Sequence, residues 1–326
     1  MPRYPGITSD AFRHPLDREA EQALRSIPGF DLIARKFMEV TVDRPQLIYN
    51  MGSNIQVGPR QYASIYQIYR ECLQSLDIYP EPAFFVTQTP AVNAYTVGQE
   101  QPSVVVTSGA LDMLGERELR VVIAHELGHF KCGHTTLTQM AIWAAQAASL
   151  VGQFTFGISN ILTSMALLSA FYEWRRKAEL SSDRAALLVT DDLDAVMMTL
   201  VMLAGGSGTH AQEISLDEFK KQAKEYQALD DDGINQIYKF LLYNNLSQGI
   251  FTSHPFPVER VSFIEEWANS DEYHRIRNGD YAQDPAEGSV DISSNGNGNG
   301  AAEAERLRQQ IEELQQQISQ IRNNEP

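Results

Sequence analysis

Three histidines and a glutamate stand within the eleven residues AHELGHFKCGH, Ala124–His134. His125 and His129 are four residues apart. On an α-helix that spacing puts two imidazoles one turn apart on one face, where both reach a single metal ion. Glu126, next to the first histidine, is then placed to approach a water at the metal rather than the metal itself. Gly128 carries no side chain, which lets another element pack close to the helix. The chemistry this arrangement serves is hydrolysis: zinc held by three protein ligands keeps a fourth position open for water. A carboxylate then takes the proton of the attacking water and returns it to the leaving amine. The same residues also read as a buried helix with two hydrogen-bonded histidines. Val122, Ile123, Leu127 and Phe130 make the helix apolar, and unpaired imidazoles there would be costly, which favours the metal reading.

A third ligand has to come from elsewhere. The pattern with Gly and His three and six residues past the second histidine fails, because Cys132 and Thr135 stand at those positions. His134, on a continuing helix, would lie on the side away from His125, and a helix-end histidine is its better reading. AELSSDRAAL offers Glu179 and Asp183, again four apart on one predicted helix face. Glu179 can bind zinc, and Asp183 can accept a hydrogen bond from a liganding histidine and so fix its tautomer. By itself ExxxD is usually a surface pair, but Ala178, Leu180, Ala185 and Leu187 mark this helix as half-buried. Two neutral histidines and one carboxylate leave the site positive, which lowers the pKa of water there toward ~7. The tetrahedral oxyanion needs a further donor. His254, in SHPFPVER, is the residue for that role, with Arg260 as support behind the site. The other reading of His254 is a turn histidine beside Pro255.

The elements that must position these groups are mostly helical. DREAEQALRSI places Ala20, Ala23, Leu24 and Ile27 along one face, and Pro28-Gly29 breaks it. ASIYQIYRECLQSL gives a second helix through Ile65, Ile68, Cys72 and Leu73. AFFVTQ and SVVVTSG read as strands, with the alternating AVNAYTVG between them as an edge strand. SGALDML is a short helix broken at Gly115, after which ERELRVVIAHELGHFKCGH resumes. Thr135 to Tyr172 holds no charged residue. It reads either as a membrane hairpin, flanked by Lys131 and Arg175–Lys177, or as apolar helices packed on the core or on a partner. Its glutamines and Gly157 weigh against spanning, which asks for about 20 apolar residues per crossing. SSNGNGNG is a flexible linker. Beyond it Leu307, Ile311, Leu314, Ile318 and Ile321 alternate steps of four and three, the spacing of a short coiled coil or of a solitary amphipathic helix.

The 326 residues carry a formal charge of −16. That excludes sequence-independent nucleic-acid binding and charge-driven attachment to an anionic membrane. Two distant cysteines, Cys72 and Cys132, fit a reducing compartment without disulfides. The first residues show no apolar secretory segment, so the expected location is cytoplasmic, with membrane association through 135–172 left open.

Four stretches, taken in order, resemble the HtpX and CAAX-prenyl-endoprotease family of zinc metallopeptidases, a gluzincin group. They are VNAYTVG, VVVTSGALDMLGERELRVVIAHELGHFKCGH, AELSSDRAALL and SHPFPVERV, which together span about Pro80 to Ile264. The resemblance implies that His125, His129 and Glu179 bind one Zn2+ per chain, with Glu126 as general base and acid. It implies that Asp183 and Arg260 stand behind the ligands and that His254 faces the metal. Asn93, Ala94 and Tyr95 would lie on an edge strand that pairs with an extended peptide. The N-terminal membrane helices of HtpX-type members have no counterpart here, and the acidic coiled-coil tail is not part of the family pattern.

The expected fold is therefore α+β and mostly helical, a zincin-like metalloprotease core with a small β-sheet. An N-terminal helical region (1–78) would pack on a peptidase domain (79–280), followed by a linker (281–302) and a coiled-coil tail (303–326) that binds a second copy or a partner helix. The expected function is a zinc metalloendopeptidase acting on polypeptides, by analogy in protein quality control. The alternatives are a chaperone-like or partner-binding protein with a latent or vestigial site, and a zinc hydrolase of non-peptide amides. A latent state is a further expectation, with the uncharged stretch or the His254 loop covering the cleft.

Overall fold

The computed structural model describes residues 1–26, 30, 43–98, 101–140, 158–229 and 256–283. The chain divides into a compact unit, Met1–Asp284, and a second unit, Pro285–Pro326. The second unit, the expected coiled coil and most of the expected linker lie outside the described residues, as do His254 and 141–157.

The fold is mostly helical with one four-stranded sheet. Its strands are β1 (Ile55–Gln56), β2 (Ala83–Thr87), β3 (Ala94–Val97) and β4 (Ser103–Thr107), in the order β1-β2-β4-β3. β2 and β4 run parallel, while β1 and β3 are antiparallel to their neighbours. The unbroken apolar run Val104-Val105-Val106 needs cover on both faces, and all five residues of β4 are buried at the sheet centre. β3 is half-buried along its whole length and forms the edge.

β4 leads directly into α4 (Ser108–Met113), capped by Thr107, whose hydroxyl accepts from the Ala110 N–H at 3.2 Å. α5 (Glu116–Lys131) follows, with Glu116 and Glu118 in its first turn and Lys131 in its last, the order that suits the helix dipole. It ends at Cys132. Gly133, at φ +72, turns the chain, and a new helical stretch starts at 134. α3 (Ala63–Ser75) packs its Ile65, Ile68 and Cys72 into the same core as Phe84, Val86, Val104, Val106, Ile123 and Leu127.

The long α6 (Ile158–Thr190) lies against α5 and continues through a turn at Asp191 into α7 (Leu193–Gly205). α8 (Leu216–Ala228), α9 (Pro257–Ala268) and α10 (Asp271–Arg277) complete this side, with Val261, Ile264 and Trp267 of α9 in the main core. Among the described residues no helix is long and apolar enough to cross a membrane.

The N-terminal segment is part of the core. Tyr4, Ile7 and Phe12 are buried in it, each worth about 1.5–3 kcal/mol when fully removed from water. α1 (Pro15–Arg25) starts at His14, whose imidazole accepts from the Leu16 N–H at 3.1 Å. Its Leu24 joins Leu137, Met140, Phe171 and Trp174 in a second cluster. α2 (Asp43–Ser53) precedes β1. Residues 281–283 are tied back to the N-terminus: the Thr8 N–H donates to the Ala282 carbonyl at 3.0 Å, and Ile7 bridges Gln283. Both cysteines are buried free thiols.

Candidate metal centre

α5 and α6 meet at Gly128. A Cβ there would stand 2.7 Å from the Cβ of Ala185 and 3.0 Å from the Cα of Ser182. The missing side chain is what lets the helix bearing His125 and His129 approach the helix bearing Glu179. His125 Nε2 lies 3.2 Å from Glu179 Oε2, and His129 Nε2 lies 3.2 Å from Glu179 Oε1. The two Nε2 atoms are 3.2 Å apart. These three residues form a group whose ligand atoms lie within 4.8 Å of one another.

The far side of each imidazole is occupied. His125 Nδ1 is 3.0 Å from Asp183 Oδ1. Asp183 also accepts from Arg260 of α9, at 2.8 Å from Nε and 2.5 Å from Nη2. Burial alone would raise the Asp183 carboxyl, but the Arg260 guanidinium and His125 outweigh it and hold it below the usual range. An ionised Asp183 only accepts, so His125 carries a proton on Nδ1, and Nε2 is the nitrogen that turns to Glu179. Arg260 Nη1 also reaches Glu179 Oε2 at 3.3 Å.

His129 is backed differently. Its Nδ1 faces His134 Nδ1 at 3.0 Å, and His134 Nε2 faces Asp17 Oδ2 at 3.0 Å. Two imidazole nitrogens and a carboxylate converge on one point, a place that a cation or a proton must fill. Burial would depress the His125 imidazole, yet its bonds to Asp183 and Glu179 lift it to about 9, so a proton competes for the cation's place. Two nitrogens and one carboxylate suit zinc, and such a set leaves a coordination position for water.

Glu126 is buried beside this group. Thr96 Oγ of β3 lies 2.9 Å from Glu126 Oε2 and 3.0 Å from the Glu126 carbonyl oxygen, so one hydroxyl ties the edge strand to that carboxylate. A cleft of about 220 Å³ runs between them, lined by Ala94, Tyr95, Thr96, Glu126, His129 and Arg175 among others. The Thr107 N–H donates to the Asn93 carbonyl at 3.0 Å, and Ala94 to Val97 pair with Val106 to Ser103. Alternation along an antiparallel ladder then turns the backbone groups of Ala94 and Thr96 toward the open edge. Asn93 Oδ1 accepts from the Ala94 N–H at 3.0 Å, so part of that edge is already engaged.

The structure thus brings His125, Glu126, His129, Glu179, Asp183 and Arg260 together, with Ala94 and Tyr95 on β3 and Asn93 just before it along the cleft. His254 falls outside the described residues. His134 is not among the converging ligand atoms; it starts the next helical stretch, turned back by Gly133 against His129. Sequence reasoning missed Thr96, Asp17 and the contact of His134. Only Thr96 had a nearby signal, as the neighbour of Tyr95 on the expected edge strand.

The sequence pattern of peptidase family M48 matches residues 59–268. The plastoglobule-localized metallopeptidase 48, chloroplastic, of Arabidopsis thaliana is 32% identical over 273 residues, covering 83% of this chain and 76% of that one. A protease HtpX homolog of Polynucleobacter necessarius is 26% identical over 247 residues, covering 70% of this chain and 81% of that one. The crystal structure of S. mikatae Ste24p matches 80% of this chain and 67% of that one at 15% identity, with a TM-score of 0.35.

Proposed function

The chain belongs to peptidase family M48, and from that premise we propose that it cleaves internal peptide bonds at one zinc ion held by His125, His129 and Glu179. Bound zinc supplies a Lewis acid that acidifies water and polarises the substrate carbonyl. Everything else is the work of the chain's own side chains. Asp183 keeps the proton of His125 on Nδ1, and Arg260 keeps Asp183 ionised. Glu126 takes a proton from the attacking water and delivers it to the leaving amine, and Thr96 holds its carboxylate toward the cleft. The outward carbonyl of Ala94 and the backbone groups of Thr96 pair with an extended substrate, which selects for unfolded polypeptide and fits a role in quality control. His254 serves the developing oxyanion.

The observation that carries this reading is the convergence of His125 Nε2, His129 Nε2 and the Glu179 carboxylate beside a buried Glu126 at an open strand edge. The test is zinc content and cleavage of unfolded casein, for wild type and Glu126→Gln in parallel. One zinc in each with cleavage by wild type alone is the expected result. Absence of zinc from both would remove the hydrolytic reading, and equal cleavage by both would remove Glu126 from it.

A further inference from the structure

Asp17 of α1 lies outside the part of the chain that matches the peptidase family, and it is completely buried. Burying a carboxylate is costly unless donors surround it. Asp17 has four neighbouring side chains that donate. Arg13 reaches it at 2.8 and 3.1 Å, Ser181 Oγ at 2.7 Å, Trp174 Nε1 at 3.1 Å and His134 Nε2 at 3.0 Å. Pairing with Arg13, four residues earlier and just ahead of α1, needs no burial, so charge pairing alone does not account for this placement.

The direction of the hydrogen bonds accounts for it. Asp17 only accepts, so a neutral His134 carries its proton on Nε2 and presents a bare Nδ1. That bare nitrogen sits 3.0 Å from His129 Nδ1, which must then carry the proton. His129 is left with a bare Nε2, the atom that faces His125 and Glu179. The opposite tautomer would put hydrogen where a metal ligand is needed. Ser181 and Trp174 stand on α6, the helix of Glu179 and Asp183, so the helix that supplies the third ligand also seats Asp17.

We propose that Asp17 and His134 are positioning residues for the metal ligand His129, so that the N-terminal helix is part of the metal centre. The proposal rests on the zinc reading above. It makes His129 the counterpart of His125: one imidazole is oriented directly by Asp183, the other by Asp17 through His134.

A network that merely staples α1 to the core would contain the same contacts, and two variants of the full chain separate the accounts. An asparagine amide occupies the distance of Nδ1 from the backbone, and a glutamine amide that of Nε2. His134→Asn therefore retains an acceptor for His129 and drops the bond to Asp17. His134→Gln retains the bond to Asp17 and drops the acceptor.

Zinc affinity is read by competition with a chromophoric chelator, coordination by the visible spectrum of the Co2+-loaded protein, and fold by the Tm of each metal-free chain. Losing an outer partner of a liganding histidine typically costs about 10- to 100-fold in affinity. His134→Gln should lose that much with an altered Co2+ spectrum, and His134→Asn should lose less, although its metal-free Tm falls further. Asp17→Asn, which keeps the shape and removes the charge, should lose about 10-fold. Affinity that follows the metal-free Tm across the three variants, or glutamine outperforming asparagine, would overturn the positioning role while leaving the zinc site standing. A wild-type chain that takes up no Zn2+ would overturn the site itself.

Discussion

Gly128→Ala tests whether the approach of α5 and α6 builds the metal centre. The new methyl would meet Ala185 Cβ at 2.7 Å and Ser182 Cα at 3.0 Å. Both atoms are fixed to the α6 backbone, so neither can swing away. Carbon atoms rest about 3.5–4.0 Å apart, and the helices must part locally by roughly 1 Å. Two terms oppose each other. Replacing a mid-helix glycine with alanine gains about 1 kcal/mol, whereas forcing a methyl into a packed interface costs about 1–3 kcal/mol. The net expectation runs from neutral to about 2 kcal/mol of destabilisation. Gly52→Ala is the control: it lies in α2 with nothing within 4 Å of the added methyl, and it should stabilise by up to about 1 kcal/mol. Parting the helices also draws Glu179 away from His125 and His129, and a misplacement of about 1 Å can cost ~100-fold in rate. Urea unfolding of the metal-free chains measures the packing cost, and zinc competition together with casein cleavage on each measures the displacement. A Gly128→Ala chain about 1 kcal/mol more stable than wild type, with wild-type zinc affinity, would refute the reasoning.

Two side chains away from the metal ligands give further expectations. Burial, followed by the charges of Arg184 and Lys177, pushes the His14 imidazole down to about 4 from 6.5. Between those values the unfolded chain binds more protons than the folded one, so stability falls as pH falls from about 6.5 to about 4, by up to roughly 3 kcal/mol. His14→Asn keeps an acceptor at the start of α1 and should flatten the pH dependence of Tm in that window; identical slopes for both chains would contradict the assignment. Thr96→Val removes the hydroxyl that holds Glu126 and should lower kcat about tenfold, the factor of one hydrogen bond of ~1.4 kcal/mol, with zinc content unchanged. A change in KM alone would place Thr96 with the substrate instead of with Glu126.

What was legible in the sequence is what lies within one element. HExxH and ExxxD are each a single helix turn, so spacing alone aligns His125 with His129 and Glu179 with Asp183. The strands AFFVT and SVVVT announce themselves by composition, and AYTV by alternation. The order of the sheet is not local: β2 pairs in parallel with β4, and the intervening β3 is displaced to the edge. β1 has only two residues and no period to detect. His134 shows the limit most sharply. Extending α5 at a constant 3.6 residues per turn carries it away from the first ligand. The left-handed Gly133 ends that helix and returns His134 to the second. Its other partner, Asp17, is 117 residues distant.

The division has a physical basis. Which atoms can bind a metal is set by residue type and helical repeat, and both are written locally. Which nitrogen of each imidazole is bare is set by a hydrogen bond from behind, and that bond can come from any segment the core brings near. For His125 it comes from α6, held in turn by α9 through Arg260. For His129 it comes from His134, held in turn by Asp17 of α1, which the Tyr4, Ile7 and Phe12 side chains anchor through the preceding segment. The candidate metal centre therefore depends on the packing of the whole compact unit, and under the proposed roles a chain cut to the family-matched residues would retain His125, His129 and Glu179 while losing Asp17.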